Sequence, residues 1–197
     1  MHASPADEIA AAAARLVVDE GMDYAAAKRK ALRSLGRRSA RRAELPSNEQ
    51  VEEQVRAFIA LFCADTQPAE LLVLREVALL WMDRLAEFRP HLAGAVWRGT
   101  ATRLSSVHLD LYCDDGKSAE IAMLNQKLDY DVGSQTDARG HSHDVLTVAS
   151  RSEALNDWVT LHLHVRDHDD LRGALKPDSH GRSWRGDVTA LRRLLAP

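Results

Sequence analysis

Apolar residues in the first ninety positions recur at intervals of three and four, which is the spacing of amphipathic helices. The first helix is predicted to begin at Ser4, a good N-cap residue, and to stop at Gly21. A second helix is predicted from about Tyr24 to Leu35, just before Gly36. The chain therefore starts with a helical pair.

Two more helices are predicted before residue 90. Ser47 and Gln50 form a capping-box pattern at the start of the third. The fourth opens at Thr66 and Pro68, and Pro90 ends it. Its wide apolar face predicts a helix central to the core, with Leu71, Leu74, Val77, Ala78, Trp81, Leu85 and Phe88.

After Pro90 the hydrophobic period falls to two. Between Val107 and Tyr112, apolar and polar residues alternate, which predicts a half-buried strand. Further strands are predicted at Gly94–Trp97, Tyr130–Val132, Val145–Val148 and Trp158–Val165, with helices at Lys117–Gln126 and after Asp187.

These elements predict an α+β protein, with a helical N-terminal region followed by a mixed sheet and flanking helices. Residues 36–46 are expected to form a basic linker. We therefore expect a helical segment over residues 1–46 and a second domain over residues 47–197, which includes its two leading helices.

The segment from Gly94 to Asp115, GAVWRGTATRLSSVHLDLYCDD, carries a recognisable pattern. It resembles the signature of polymerase-beta-type nucleotidyltransferases, in which a Gly-Ser strand end and an Arg-Gly turn precede a Ser-Asp-x-Asp strand. Gly94 and Ala95 stand at the Gly-Ser positions. The turn and the following strand correspond to Arg98-Gly99-Thr100 and to Ser106, His108 and Asp110.

The resemblance implies a nucleotidyltransferase-like sheet and magnesium-dependent chemistry. Two magnesium ions about 4 Å apart align an in-line displacement. Two carboxylates at alternate positions of one strand face the same side, and a third carboxylate comes from a neighbouring strand. Asp110 would be a catalytic and metal-binding carboxylate here. Asp129 and Asp131 are candidates for the third carboxylate, with Asp131 as the second metal ligand, although both are equally compatible with solvated charge at a strand edge.

The resemblance also implies a phosphate-binding turn. Glycine lets backbone amides approach phosphate closely. The residues implied in nucleotide binding are Gly94, Arg98, Gly99, Thr100, Ser106 and His108.

Two substitutions depart from the family pattern. Ala95 lacks the hydroxyl that would meet a phosphate, and His108 replaces the first carboxylate. Imidazole is a poor ligand for magnesium, so weak or lost transferase activity is expected.

Histidines mark another candidate surface. Thr160, His162, His164 and Arg166 share one face of a predicted strand, and His141, His143 and His168 are further histidines that could lie near them in the fold. Two histidines on one face can bind a transition metal, but their spacing matches no standard zinc pattern, so a polar strand face is favoured. If that face also carries Asp110, a contact with phosphate becomes plausible.

The loop from Asp167 to Arg185 contains four cations around two glycines. It is predicted to be a solvated surface loop, with a triphosphate clamp as the alternative.

Charge is distributed unevenly along the chain. The net charge is −3, yet residues 28–43 carry eight cations and no acid, which leaves 18 basic against 29 acidic residues elsewhere. Such a run can neutralise nucleic-acid phosphates. A solvated linker is favoured, because the acidic remainder would repel a polyanion.

The N-terminal residues lack the pattern of a signal peptide, and no stretch approaches the roughly 20 apolar residues of a membrane span. We therefore expect a cytoplasmic protein without a membrane partner. The two cysteines, Cys63 and Cys113, are expected to be reduced packing residues. The chain has neither a Walker-type phosphate loop nor a Gly-x-Ser-x-Gly elbow.

Three functional hypotheses follow. The leading one is a nucleotidyltransferase-fold protein that binds a nucleoside triphosphate in a cleft between its halves, with weak or lost transfer. The second is an active magnesium-dependent transferase acting on a small molecule or protein. The third is a nucleic-acid-associated regulatory protein that uses residues 28–43.

Overall fold

A computed structural model describes residues 4–36, 45–136, 140–172 and 174–196. The chain divides into two compact units. The first comprises Met1–Glu70 with Thr100–Ser105, and the second comprises Leu71–Gly99 with Ser106–Pro197. This division differs from the predicted boundary at residue 46, because the third helix packs against the first.

The first unit has its own helical core. It contains α1 (Pro5–Glu20), α2 (Tyr24–Ser34) and α3 (Asn48–Phe62). Ser4 and Ser47 begin α1 and α3 with capping boxes, so backbone amides that helices leave unpaired find partners. The core consists of small and branched side chains from the three helices: Ile9, Ala10, Ala13, Ala14, Val17, Val18, Ala27, Ala31, Val51, Val55 and Ile59.

The α4 helix (Gln67–Arg84) belongs to the first unit up to Glu70 and to the second from Leu71. It ends before Pro90, and a 3₁₀ turn at Ala86–Phe88 follows it. Its buried apolar residues agree with the prediction of a core helix: Leu74, Ala78, Trp81 and Met82, with the buried Leu85 directly after its end. The remaining helices of the second unit are α5 (Gly94–Arg98), α6 (Lys117–Asn125) and α7 (Val188–Leu195).

The sheet of the second unit is mixed and has the strand order β3-β4-β5-β2-β1-β6. β2 and β5 pair in parallel, and the other neighbours pair antiparallel. The strands are β1 (His91–Ala93), β2 (Val107–Cys113), β3 (Asp131–Thr136), β4 (Ser142–Ser152), β5 (Asp157–Asp167) and β6 (Arg185–Asp187). The predicted α+β class with a helical N-terminus is confirmed.

The two faces of the sheet differ in chemistry. Register places Leu109 beside Leu92 and Leu163, and places Leu161 beside Val148, so one face is apolar. These side chains are all buried. Alternation puts the polar residues of the same strands on the opposite face.

The predicted strand at Gly94–Trp97 is wrong. The strand ends at Ala93, and α5 begins at Gly94, which has a φ of +68°. Glycine adopts this left-handed conformation without the steric cost of a Cβ atom, so the chain can turn abruptly from strand to helix. The three-residue strand β6 is not among the predicted elements, although Asp187 does cap α7.

Within the described ranges, no helix is long and apolar enough to cross a membrane. The predicted basic linker lies largely outside these ranges, since residues 37–44 are not described.

We predict that Gly186→Ala will destabilise the second unit. A Cβ atom at Gly186 would overlap the Trp97 indole, and Trp97 is held by a hydrogen bond from Nε1 to the Ser183 carbonyl at 3.0 Å. Overpacking of this kind typically costs about 1–3 kcal/mol. Urea unfolding followed by tryptophan fluorescence measures it, because all four tryptophans lie in this unit.

Gly116→Ala is the matched control, since a Cβ atom added at Gly116 would have no other atom within 4 Å. Equal unfolding free energies for the two variants would contradict the steric argument.

Candidate functional site

The polar face of the sheet carries four of the residues that the sequence singled out: His108, Asp110, His162 and His164. In the parallel β2–β5 register, His108 lies beside His162, Asp110 beside His164, and Tyr112 beside Arg166. β2 lies between β5 and β1. His108 and Asp110 therefore share a face of this strand, as predicted, and His162 and His164 lie on the same face of the sheet.

Asp110 lies between two arginines. Its side chain is 4% exposed. Arg166 Nε donates to Oδ1 at 3.0 Å, and Arg185 Nη1 lies 3.0 Å from Oδ2. A buried carboxylate needs such compensation, because leaving water unpaired is costly. Each oxygen of the Asp110 carboxylate thus contacts one guanidinium group.

Tyr112 extends this cluster. Arg185 Nη1 also donates to the Tyr112 hydroxyl at 3.0 Å. Burial raises the pKa of Tyr112, and the negative charge of Asp110 adds to the effect. Burial by itself would lower the pKa of Arg185, but Asp110 and Tyr112 outweigh it and raise that pKa. Arg185 therefore stays a cation, and Tyr112 stays a neutral hydroxyl.

Three histidines contact one another beside Asp110. His164 Nε2 lies 3.0 Å from His108 Nδ1, and His164 Nδ1 lies 3.2 Å from His143 Nε2. Burial lowers the pKa of His164 to about 3, and Asp110 only partly opposes this shift. Burial also lowers the pKa of His162, whose Nδ1 contacts the Thr147 hydroxyl at 3.1 Å. His164 is therefore neutral at physiological pH.

The glycine turn lies close to this face, but its arginine has another partner. A Cβ atom on Gly94 would lie 3.4 Å from His108 Cδ2, and Gly99 ends α5 with a φ of +79°. Arg98 is buried, and its Nη2 forms a 2.6 Å ion pair with Asp178.

The Arg98–Asp178 pair anchors the loop after β5. Arg98 Nη1 also donates to the Ser183 carbonyl at 3.1 Å, and its guanidinium stacks on Trp184. Burial raises the pKa of Asp178, but the hydrogen bonds from Arg98 and from backbone amides outweigh it, and the resulting pKa is well below the ordinary value. Arg98 therefore has a structural role in holding this loop, and its implied role in nucleotide binding stays a prediction.

Two residues implied in nucleotide binding lie at the edge of the motif. Thr100 belongs to the first unit, where its buried hydroxyl lies 3.4 Å from the Tyr24 hydroxyl. Ser106 belongs to the second unit and immediately precedes β2.

Asp129 and Asp131 do not join Asp110. Asp131 begins the exposed edge strand β3, and β4 and β5 separate it from β2. Three strand spacings of about 4.8 Å place it about 14 Å from that strand. Asp129 lies with Asp131 beside a separate surface pocket of about 260 Å³. The assignment of Asp131 and Asp110 to one metal pair is wrong, because their carboxylates are too far apart.

A larger cavity of about 450 Å³ lies at the end of β2 and β5. Arg166 and His143 line it, together with Asp114, Asp144 and Asp167. Burial raises the pKa of the Cys113 thiol at this cavity, and the nearby carboxylates add to the effect. Cys113 is therefore a protonated thiol, in keeping with its predicted packing role.

Sequence reasoning underuses His143 and misses Arg185. The sequence names His143 as a histidine that could lie near His162 and His164 but assigns it to no strand, because β4 is predicted to start two residues later. Arg185 falls in the predicted solvated loop, since a three-residue strand has no detectable periodicity. Of the other candidate histidines, His168 contacts Arg89 and His141 is exposed.

Two cations of the basic run have partners within the first unit. Lys28 Nζ donates to the Pro46 carbonyl at 3.2 Å, and Lys30 forms an ion pair with Glu20. Four of the remaining cations lie outside the described residues. The nucleic-acid hypothesis stays a prediction.

We predict that stability will fall on acidification because of His164. Its folded pKa of about 3 is below the ordinary value of 6.5. Above pH 6.5 both states are neutral, so the group contributes no pH dependence. As pH falls from 6.5 towards 3, the unfolded chain gains a proton that the folded chain does not, and stability falls by about 1.4 kcal/mol per pH unit.

Urea unfolding of the parent and of His164→Gln across this range measures the effect. The variant should show a shallower fall, whereas His141→Gln, at an exposed position, should follow the parent. Identical slopes for the parent and His164→Gln would show that His164 is not held neutral by the fold.

The chain was compared with models of known protein families, with curated proteins and with solved structures, and none of them matches it. The resemblance to nucleotidyltransferases therefore stays a prediction from the residues of Gly94–Asp115.

Proposed function

We propose that this chain is a nucleotidyltransferase-fold protein that binds the polyphosphate of a nucleotide on its polar sheet face and has lost metal-dependent transfer. The observation that supports it most strongly is the position of Asp110 between Arg166 and Arg185. The two arginines occupy the Asp110 carboxylate, which would otherwise be a metal ligand, and this supports the loss of metal-dependent transfer. They also bring positive charge to the face, and this supports binding of a polyphosphate.

The donor set does not fit the magnesium pair that the resemblance implies. On β2 the two family carboxylate positions hold His108 and Asp110, and the neighbouring parallel strand presents His164 beside Asp110. Magnesium requires hard oxygen ligands. Both Asp110 oxygens already contact guanidinium groups. The proposed function therefore includes no magnesium ion.

Positive charge replaces the acidic character expected of a metal site. Two guanidiniums surround one carboxylate, and the buried His164 is neutral, so the cluster retains a surplus positive charge. Arginine is well suited to phosphate, because its planar donors match phosphate oxygens. Partial burial strengthens the attraction, since screening by solvent is weaker there.

The position of Gly94 supports a phosphate at this face. No side chain projects from Gly94 towards His108, whose Cδ2 would be 3.4 Å from a Cβ atom at that position. A ligand could therefore approach the backbone and the imidazole together.

We predict that ATP or GTP will stabilise the protein without magnesium. A ligand that binds the folded state raises its melting temperature. The shift should be at least as large in EDTA as with magnesium, because magnesium reduces the negative charge of the triphosphate. A shift that appears only with magnesium would favour the active transferase, as would incorporation of label from an α-labelled triphosphate. No shift with any nucleotide would contradict the proposal.

Arg185→Gln tests the arginine contribution. Loss of a charged hydrogen bond to a ligand costs about 1.5–3 kcal/mol, so nucleotide affinity should fall about tenfold or more. Arg151→Gln is the matched control, because it removes the same charge from an exposed position on β4. Equal affinities in the two variants would place the ligand elsewhere.

A further inference from the structure

A continuous line of hydrogen-bonding contacts runs across the polar face from Arg166 to His108. Arg166 Nη1 lies 3.2 Å from His143 Nδ1. His143 Nε2 lies 3.2 Å from His164 Nδ1, and His164 Nε2 lies 3.0 Å from His108 Nδ1. We call these four residues the histidine chain. Both ring nitrogens of His143 and of His164 take part in it.

The chemistry of arginine determines the direction of the chain. A guanidinium donates hydrogen bonds and accepts none, whereas a neutral imidazole has one donor and one acceptor nitrogen. Arg166 must therefore donate to His143 Nδ1, which leaves the proton of His143 on Nε2. By the same reasoning His164 accepts at Nδ1 and donates from Nε2, and His108 accepts at Nδ1.

The direction cannot reverse without loss of a contact. A proton on His143 Nδ1 would face the Arg166 donor. A second proton on His164, at Nδ1, would face the N–H of His143 Nε2. His164 is held neutral by burial, with a pKa of about 3. Asp110 faces the chain from β2, but its carboxylate is compensated by Arg166 and Arg185.

The last member of the chain has a defined donor. Because His108 Nδ1 accepts from His164, its Nε2 carries the proton, and whatever group Nε2 contacts must be an acceptor. Nε2 is bonded to Cδ2, the ring atom beside Gly94.

We propose, on the basis of the function proposed above, that Arg166 makes this histidine-rich face specific for phosphate oxygens and unreceptive to transition metals. Phosphate oxygens are acceptors, and they match the N–H of His108. A metal ion instead needs an unprotonated ring nitrogen. In the histidine chain, each unprotonated ring nitrogen already accepts a hydrogen bond.

Nuclear magnetic resonance of the full chain with ¹⁵N-labelled histidine tests the direction at neutral pH. His108, His143 and His164 should each carry their proton on Nε2. Two histidines serve as internal references with the opposite tautomer: His91 Nδ1 donates to the Arg89 carbonyl, and His168 Nε2 accepts from Arg89. Single His→Gln variants assign the signals. A proton on Nδ1 of His164 would overturn the proposal.

Nickel binding to untagged protein tests the role of Arg166. Arg166→Leu removes the donor that occupies His143 Nδ1 and also removes a positive charge that repels a metal cation. Ni²⁺ affinity should therefore rise at least about tenfold over the parent. Arg151→Leu, at an exposed position on the same sheet, should bind Ni²⁺ as weakly as the parent. Tight 1:1 nickel binding by the parent would overturn the proposal even if Arg166→Leu failed to fold.

Inorganic triphosphate without metal tests the ligand class. It should shift the His108 Nε2 signal and leave that of His91 unchanged. If nucleotides fail to bind while the tautomers are as expected, the proposed function is wrong and the direction of the chain stands. If nucleotides bind while triphosphate leaves His108 unperturbed, the ligand specificity inferred here is wrong.

Discussion

The compensation of the Asp110 carboxylate is the constraint on which the polar face depends. A carboxylate that is 4% exposed cannot remain charged without partners, and Arg166 on β5 and Arg185 on β6 supply them. The contact joins strands that are far apart in sequence. It also holds Arg166 where it contacts His143, so the order of the histidine chain depends on the same carboxylate.

This arrangement separates the sheet into two faces with different roles. The apolar face is closely packed and stabilises the second unit through hydrophobic burial. The polar face is stabilised by a connected set of hydrogen bonds in which most groups have one permitted role, as donor or as acceptor. Such networks are costly when broken, because a buried polar group then loses its partner without regaining water.

The chemistry of the polar face is that of imidazole and guanidinium groups around one carboxylate. On β2, His108 and Asp110 lie beside His162 and His164 of β5, and Arg166 and Arg185 compensate the charge of Asp110. Because guanidinium groups carry fixed charge, an arrangement of this kind can attract phosphate without recruiting a cation.

The sequence by itself determined the local elements and the composition of the central strands. N-cap residues, one capping box and apolar periodicity predicted the helices of the first unit, because these signals involve neighbours within one turn. Alternation on β2 and β5 predicted two faces, since successive side chains of a strand point in opposite directions.

Only the tertiary structure decided which polar residues meet. The register of β2 against β5 pairs Asp110 with His164. The strand order places Asp131 on β3, which β4 and β5 separate from the strand of Asp110. Neither is encoded in local periodicity, because register and strand order depend on how distant segments pack. Arg185 reaches Asp110 through a strand of three residues, and Arg98 is withdrawn from the site by Asp178, eighty positions later. Long-range contacts between charged groups therefore determine the chemistry of the site. These contacts are required because a buried charge without a partner would destabilise the fold.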